Sequence, residues 1–238
     1  MGKYLAMTLG TGQGVEHGLA FSIKTLNPEV IVLLATQQSA KTLDRLRPLI
    51  QGFEDRIDLR TTMDKDDIER CAMKSRDVLI ELIERGARPD EIEVDITSGT
   101  KAMSAGLALS AAAIGVGRMV YVTGERDEKG RVIKGTERLV SIYPIRLIIQ
   151  NKRREICSLF NRHLFADGLN LAQEVLRSCE LPEVQEEFSF WERLFKTYWL
   201  WDRFDHLSAN EEIKKIPKEW LKKSKLDLSG NKEILNKI

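Results

Sequence analysis

Two short segments of the chain combine small, hydroxyl-bearing and charged residues in a way suited to holding an anion. The first is Thr8-Leu9-Gly10-Thr11-Gly12-Gln13-Gly14. Glycines at alternate positions let the backbone turn tightly and approach a ligand without interference from a β-carbon. A helix starting there adds unpaired backbone N–H groups and its positive dipole end, with Thr11 and Gln13 as side-chain donors. A plain structural turn is the competing reading of that loop. The second segment is Asp95-Ile96-Thr97-Ser98-Gly99-Thr100-Lys101-Ala102-Met103. Ser98, Gly99 and Thr100 offer capping hydroxyls and exposed amides at a helix start, and Lys101 puts a full positive charge in the first turn. A cation there opposes the helix macrodipole by roughly 0.3–1 kcal/mol. An anion seated between helix end and ammonium would remove that cost; a surface lysine tolerated in the first turn is the alternative.

The spacing argues against two better-known phosphate sites. G-x-G-x-G is not G-x-G-x-x-G, because Val15 stands where the third glycine belongs, and the second apolar run ends in Ala35-Thr36-Gln37-Gln38 with no carboxylate for a ribose. That disfavours a nicotinamide-dependent oxidoreductase. The Ser98–Lys101 segment likewise lacks the G-x-x-x-x-G-K-[ST] of a P-loop.

Both segments need a scaffold that aims them at one place. Strand patterns fall at about 3–9, 29–35, 57–61, 91–97, 117–123 and 139–147, with helical patterns near 13–26, 37–51, 65–86 and 100–115. This alternation predicts an α/β, Rossmann-like fold: a mostly parallel six-stranded sheet with helices on both faces. The last strand follows the fifth without a helix, so it is expected as an antiparallel edge partner, with turn chemistry at 127–130. Parallel central strands read as apolar runs, which makes Glu93 and Asp95 exceptional. A buried carboxylate without partners is costly, so Asp95 is expected to hydrogen-bond the adjacent loop and support it.

From about 149 strand signals stop and an all-α C-terminal region is expected, dividing the chain into 1–148 and 149–238. Val184, Phe188, Trp191, Phe195 and Tyr198 recur at helical spacing and read as the buried face of a long helix, with a break near His163 earlier on. The helical stretch Ala102–Val116 is apolar nearly all round and rich in small residues, suited to burial between layers or to a subunit contact. A two-fold contact there would set two Lys101 loops face to face.

Net charge is +1, so no global basic field advertises nonspecific nucleic-acid binding. Cys71, Cys157 and Cys179 show no CxxC spacing and are expected as reduced thiols. No apolar run reaches the length of a spanning helix, and Gly10 and Gly12 interrupt any leader-like stretch; a cytoplasmic location without membrane association is expected. Asp202 and His206 share a face if one helix continues through them, but these ligands alone do not make a metal site. A hydrogen-bond cluster is the better reading, with an aspartate paired to Arg203 or Arg193 and His206 near the C-terminus of its helix. No cofactor is expected.

The pair Gly10-Thr11-Gly12 and Asp95-x-Thr97-x-Gly99-Thr100-Lys101-x-Met103 resembles the CARF domain, the CRISPR-associated Rossmann fold. The run Tyr198-x-x-Trp201-Asp202-x-Phe204-Asp205 is similar to the helical region of the Cas02710 subfamily of type III CRISPR accessory proteins. The resemblance implies a homodimer through the CARF domain that binds cyclic tetra- or hexa-adenylate across its two-fold axis. The pocket would be formed by Gly10, Thr11, Gly12, Gln13 and Gly14 with Thr97, Ser98, Gly99, Thr100 and Lys101. It also implies a second activity, a metal-independent ring nuclease in which the ribose 2′-OH attacks the neighbouring phosphodiester. Lys101 would then be the electrostatic stabiliser, with Thr11 and Ser98 orienting the reacting groups; no histidine base is evident. The HEPN ribonuclease signature R-x4-6-H is not met by His17, His163 or His206, and Asp127-x-Lys129 lies too far from Pro89-Asp90 for a PD-(D/E)xK nuclease. A ligand-controlled transcription regulator is the alternative. Its DNA contacts would be Lys214, Lys215, Lys218, Lys222, Lys223 and Lys225 in the helical region.

Overall fold

The computed structural model describes residues 3–128, 132–179, 181–217 and 219–220. The chain divides into two compact units, Met1–Arg146 and Leu147–Ile238.

The first unit is a six-stranded sheet built from β1 (Tyr4–Leu9), β2 (Val30–Ala35), β3 (Ile57–Arg60), β4 (Ile92–Asp95), β5 (Arg118–Thr123) and β6 (Arg138–Ile142). Their order is β3-β2-β1-β4-β5-β6, all parallel except the antiparallel β5–β6 pair. Alternation along β1 divides the core between the two faces. Leu5, Met7 and Leu9 pack with Ile31, Leu33 and Val120 of neighbouring strands and with Leu19 and Ile23 of helix α1 (Val15–Leu26). Ala6 packs with Val32, Leu34 and Val94 against Leu79 of α3 (Ile68–Glu84) and Leu107 of α4 (Lys101–Ile114). Between α1 and α3 lies the short α2 (Leu43–Leu46). A pairing with Arg118 answers the anomaly of Glu93: its Oε1 accepts from Arg118 Nη2 at 2.6 Å and Nε at 3.0 Å.

Two expectations are corrected. The helix expected over 37–51 is a chain of short turns, 3₁₀ at Ser39–Thr42, α2, then 3₁₀ at Arg47–Leu49. Pro48 has no N–H for an i→i−4 bond and crowds the preceding turn. The strand expected over 139–147 ends at Ile142, and α5 (Pro144–Asn161) takes the rest. Proline fits a first helical turn, where its missing N–H costs nothing. Gly130 and Lys129, named for the turn and for the nuclease motif, lie outside the described residues.

The second unit continues α5 with α6 (Phe165–Ser178), α7 (Pro182–Asp202) and α8 (His206–Lys214). The break falls at His163, whose φ of +57° ends the helical path. Val184, Phe188 and Phe195 are buried on α7, while Trp191 and Tyr198 are half-buried. Phe160 meets Phe195 and Tyr198 edge-on at centroid distances of 5.6 and 5.3 Å, the geometry aromatic quadrupoles favour. Arg153 and Glu187 form a bidentate pair at 2.6–2.9 Å.

The expected placement of Asp202 and His206 is corrected as well. α7 ends at Asp202, Phe204 turns the chain at φ +63°, and Asp205 caps α8 by accepting from Ser208 N. His206 therefore opens a helix rather than closing one. Asp202 and His206 lie on different helices and do not share a face. Lys218, Lys222, Lys223 and Lys225 lie outside the described residues; Lys215 is paired with Glu212 at 3.0 Å. Among the described residues no helix is long and apolar enough to cross a membrane.

Candidate ligand-binding site

In an open parallel sheet a crevice forms at the carboxyl ends of strands where the strand order reverses. Here β2 and β3 lie on one side of β1, and β4 on the other, so the reversal falls between β1 and β4. The two loops singled out by residue type leave those two strands. β1 runs into Gly10–Gly14 and α1, and β4 into Ile96–Thr100 and α4.

The structure brings the two loops into direct contact. The Gly10 amide donates to Ser98 Oγ at 2.9 Å, and the Thr8 hydroxyl donates to the Ser98 carbonyl, which also accepts from the Ser104 hydroxyl at 2.7 Å. A β-carbon on Gly10 would lie 2.7 Å from Gly99 N. Gly99 holds φ +89°, a left-handed conformation, with Thr8 Cβ 3.0 Å from where its own β-carbon would be. Only glycine on both sides permits this approach. On the outer side the Thr42 hydroxyl donates to Gly10 O at 2.8 Å and Arg45 Nη2 to Gly12 O at 3.2 Å.

Each predicted residue can now be placed. Thr11, Gly12 and Gln13 are exposed at the rim, and Gly14 begins α1 at φ +87°. Ser98 is buried at 2% exposure; its hydroxyl is spent on Gly10, so it joins the loops rather than facing outward. Thr97 Oγ1 accepts from Val122 N at 2.8 Å and ties the loop to β5. Thr100 is the N-cap of α4: its hydroxyl accepts from Met103 N at 3.2 Å and donates to Lys65 O at 2.6 Å. That leaves Lys101, exposed in the first turn of α4 with no ion pair among the described residues, as the outward-facing cation of this segment.

Asp95 lies beneath the loops, fully buried. Its Oδ1 accepts from Thr97 N at 2.7 Å and so shapes the turn after β4. Its Oδ2 and the neighbouring Ser22 hydroxyl on α1 make no well-formed hydrogen bond. Burial pushes the Asp95 carboxyl above the usual carboxylate range, against a smaller opposing pull from Ser22 and Thr97. α4 turns its small residues inward, where the Ser110 hydroxyl donates to Ala72 O at 2.7 Å and a β-carbon on Gly106 would meet Cys71. It leaves Leu109 58% exposed.

A cleft of about 650 Å³ opens beside the glycine loop, between α1 and the β5–β6 hairpin. Gln13, Gly14 and Thr97 line it, together with residues to which no motif pointed: His17, Tyr121, Arg126 and Glu137. Arg126 Nη2 donates to the Tyr121 hydroxyl at 3.0 Å. The signal for His17 was its position one turn past the glycine loop; the hairpin residues carried none.

Residues 150–236 match the family model of the Csm6 6H domain. The fold is shared with Enterococcus italicus Csm6, solved bound to cyclic hexa-2′-fluoro-hexa-dAMP: the TM-score is 0.62 at 14% identity, over 99% of this chain and 61% of that one. A type III CRISPR defence DNA nuclease activated by cyclic oligoadenylate aligns over 53% of this chain and 19% of its own, at 21% identity and TM-score 0.42. Can2 from Sulfobacillus thermosulfidooxidans, in complex with cyclic tetra-adenylate, aligns over 87% and 68%, at 12% identity and TM-score 0.37. The last two scores are too low to speak for a shared fold. No curated protein matches the chain in sequence. The narrower Cas02710 assignment stays a resemblance. The helical unit thus matches the Csm6 6H domain over residues 150–236, and the chain shares its fold, a Rossmann-like sheet followed in sequence by helices, with a Csm6 protein.

Proposed function

We propose that the chain is a cytoplasmic sensor of type III CRISPR defence that binds a cyclic oligoadenylate at the junction of the two loops. The observation carrying this reading is the Gly10–Ser98–Gly99 junction at the strand-order reversal, with the unpaired Lys101 ammonium beside it. Backbone N–H groups at the start of a helix and a nearby cation form a phosphate site, and a ring of phosphodiesters presents that charge repeatedly. The Csm6 whose fold this chain shares was solved with a cyclic hexanucleotide, which supports the ligand class. Gly10–Gly14 and Thr97–Lys101 supply the pocket, with Lys101 and Thr11 facing the ring and Ser98, Thr100 and Asp95 positioning the loops.

A homodimer doubles the site. The exposed Leu109 on α4, a helix otherwise rich in small residues, supports a two-fold contact near the Lys101 loop. Cleavage of the ring is the second part of the proposal: Lys101 stabilises charge developing on the phosphate while the ribose 2′-OH attacks in line. Equilibrium dialysis of cyclic tetra- and hexa-adenylate, with linear oligoadenylate as the control, tests the binding, and sedimentation tests the dimer. Retention of a cyclic species well above the linear one is expected; equal, weak retention of all three contradicts the reading.

A further inference from the structure

The cleft between α1 and the β5–β6 hairpin is not explained by phosphate binding alone. Its volume of about 650 Å³ is far larger than a phosphate requires, and its lining is not uniformly cationic. Gln13 offers both a donor and an acceptor, Glu137 a carboxylate, and Tyr121 an aromatic ring whose hydroxyl is held by Arg126 at 3.0 Å. An apolar-plus-amide lining of this kind suits a heterocyclic base and its sugar. The cleft takes Gln13, Gly14 and Thr97 from the same two loops that meet at Gly10–Ser98–Gly99, so it lies next to that junction.

His17 stands on the wall of this cleft in the first turn of α1. Its backbone N–H is spent on Gly14 O at 3.2 Å, while the imidazole is exposed and has no hydrogen-bond or ionic partner among the described residues. A histidine without a structural partner beside a nucleoside-sized cleft is placed for proton transfer, and imidazole is the side chain that exchanges a proton near neutral pH. We infer that the cleft seats one nucleoside of the bound ring and that His17 accepts the proton of its 2′-hydroxyl. This rests on the cyclic-oligoadenylate reading above. The 2′-hydroxyl proton passes to the imidazole, and the 2′-oxygen forms a bond to the adjacent phosphorus. The P–O5′ bond breaks, and the 5′-oxygen leaves as a hydroxyl with a proton returned from the imidazolium. The products are a 2′,3′-cyclic phosphate and a 5′-hydroxyl, with no change of oxidation state and no co-reactant.

The test uses the full-length chain, with wild type and His17→Gln compared for cleavage and binding of cyclic tetra- and hexa-adenylate. Single-turnover cleavage of one of the rings by wild type is expected. His17→Gln is expected to cleave about 10²-fold more slowly or worse. The loss should fall on the rate and not on the Kd. Being exposed, position 17 tolerates the change, and an unaltered melting temperature confirms a folded variant. Cleavage by His17→Gln at the wild-type rate, or binding by wild type with no cleavage over hours, overturns the assignment and leaves the sensor reading standing. Failure of wild type to bind either ring overturns both.

Discussion

Gly10 and Gly99 sit so close that a single methyl group on one would press into the backbone of the other, 2.7 Å from Gly99 N. Two loops that leave β1 and β4, some ninety residues apart in sequence, are thereby locked into one surface. The close approach is a property of both residues at once, and neither the hydroxyls nor the lysine could reach a common ligand without it.

Gly10→Ala should therefore separate the loops. Overpacking against backbone costs about 1–3 kcal/mol, and the Gly10–Ser98 hydrogen bond should be lost with it. Urea unfolding should show a lowered midpoint with an unchanged slope, and affinity for a cyclic adenylate should fall. An alanine variant as stable as wild type would mean that the loops move apart freely.

How much of this was legible from residue types follows from the range of the forces involved. The nearly continuous apolar runs at Tyr4–Leu9 and Val30–Ala35 marked the central strands, and the glycine and hydroxyl clusters beyond the ends of β1 and β4 marked the loops. The helix expected over 37–51 failed because apolar spacing alone does not register the local effect of Pro48. The strand expected through 147 failed for the same class of reason, since Pro144 opens α5. Ser98 is expected from its position to cap the helix and to orient the ligand; its burial against Gly10 is a long-range fact invisible to spacing. His17 and Tyr121 meet at one cleft only because β5 pairs beside β4 and its hairpin folds over α1's end of the sheet, so no local pattern could join them.

Asp95 gives the stability of the first unit a pH dependence. Burial raises its folded-state pKa, so the native state keeps a proton that the unfolded chain releases once pH passes about 4. Its contribution is complete below that point and is lost as pH rises toward the folded-state pKa. In Asp95→Asn the carboxamide oxygen can still accept from Thr97 N, and no proton is released. Denaturant titrations from about pH 4 to pH 7 should show wild type losing stability relative to the variant. A difference that stays constant over that range would contradict the burial argument.

Lys101 should show opposite effects on folding and on binding. Exposed and unpaired at the first turn of α4, it opposes the helix dipole. Lys101→Ala should leave stability unchanged or raise it by about 0.3–1 kcal/mol, read as a small rise in melting temperature. A clear loss of stability would show that the ammonium has an intramolecular partner.

Calorimetric titration of wild type and Lys101→Ala with cyclic tetra-adenylate and cyclic hexa-adenylate tests the central claim most directly. One of the rings should bind wild type and lose at least about tenfold in affinity with the variant, about 1.4 kcal/mol. Equal affinity of the two proteins for that ring would place the anion somewhere other than the Gly10–Gly99 junction.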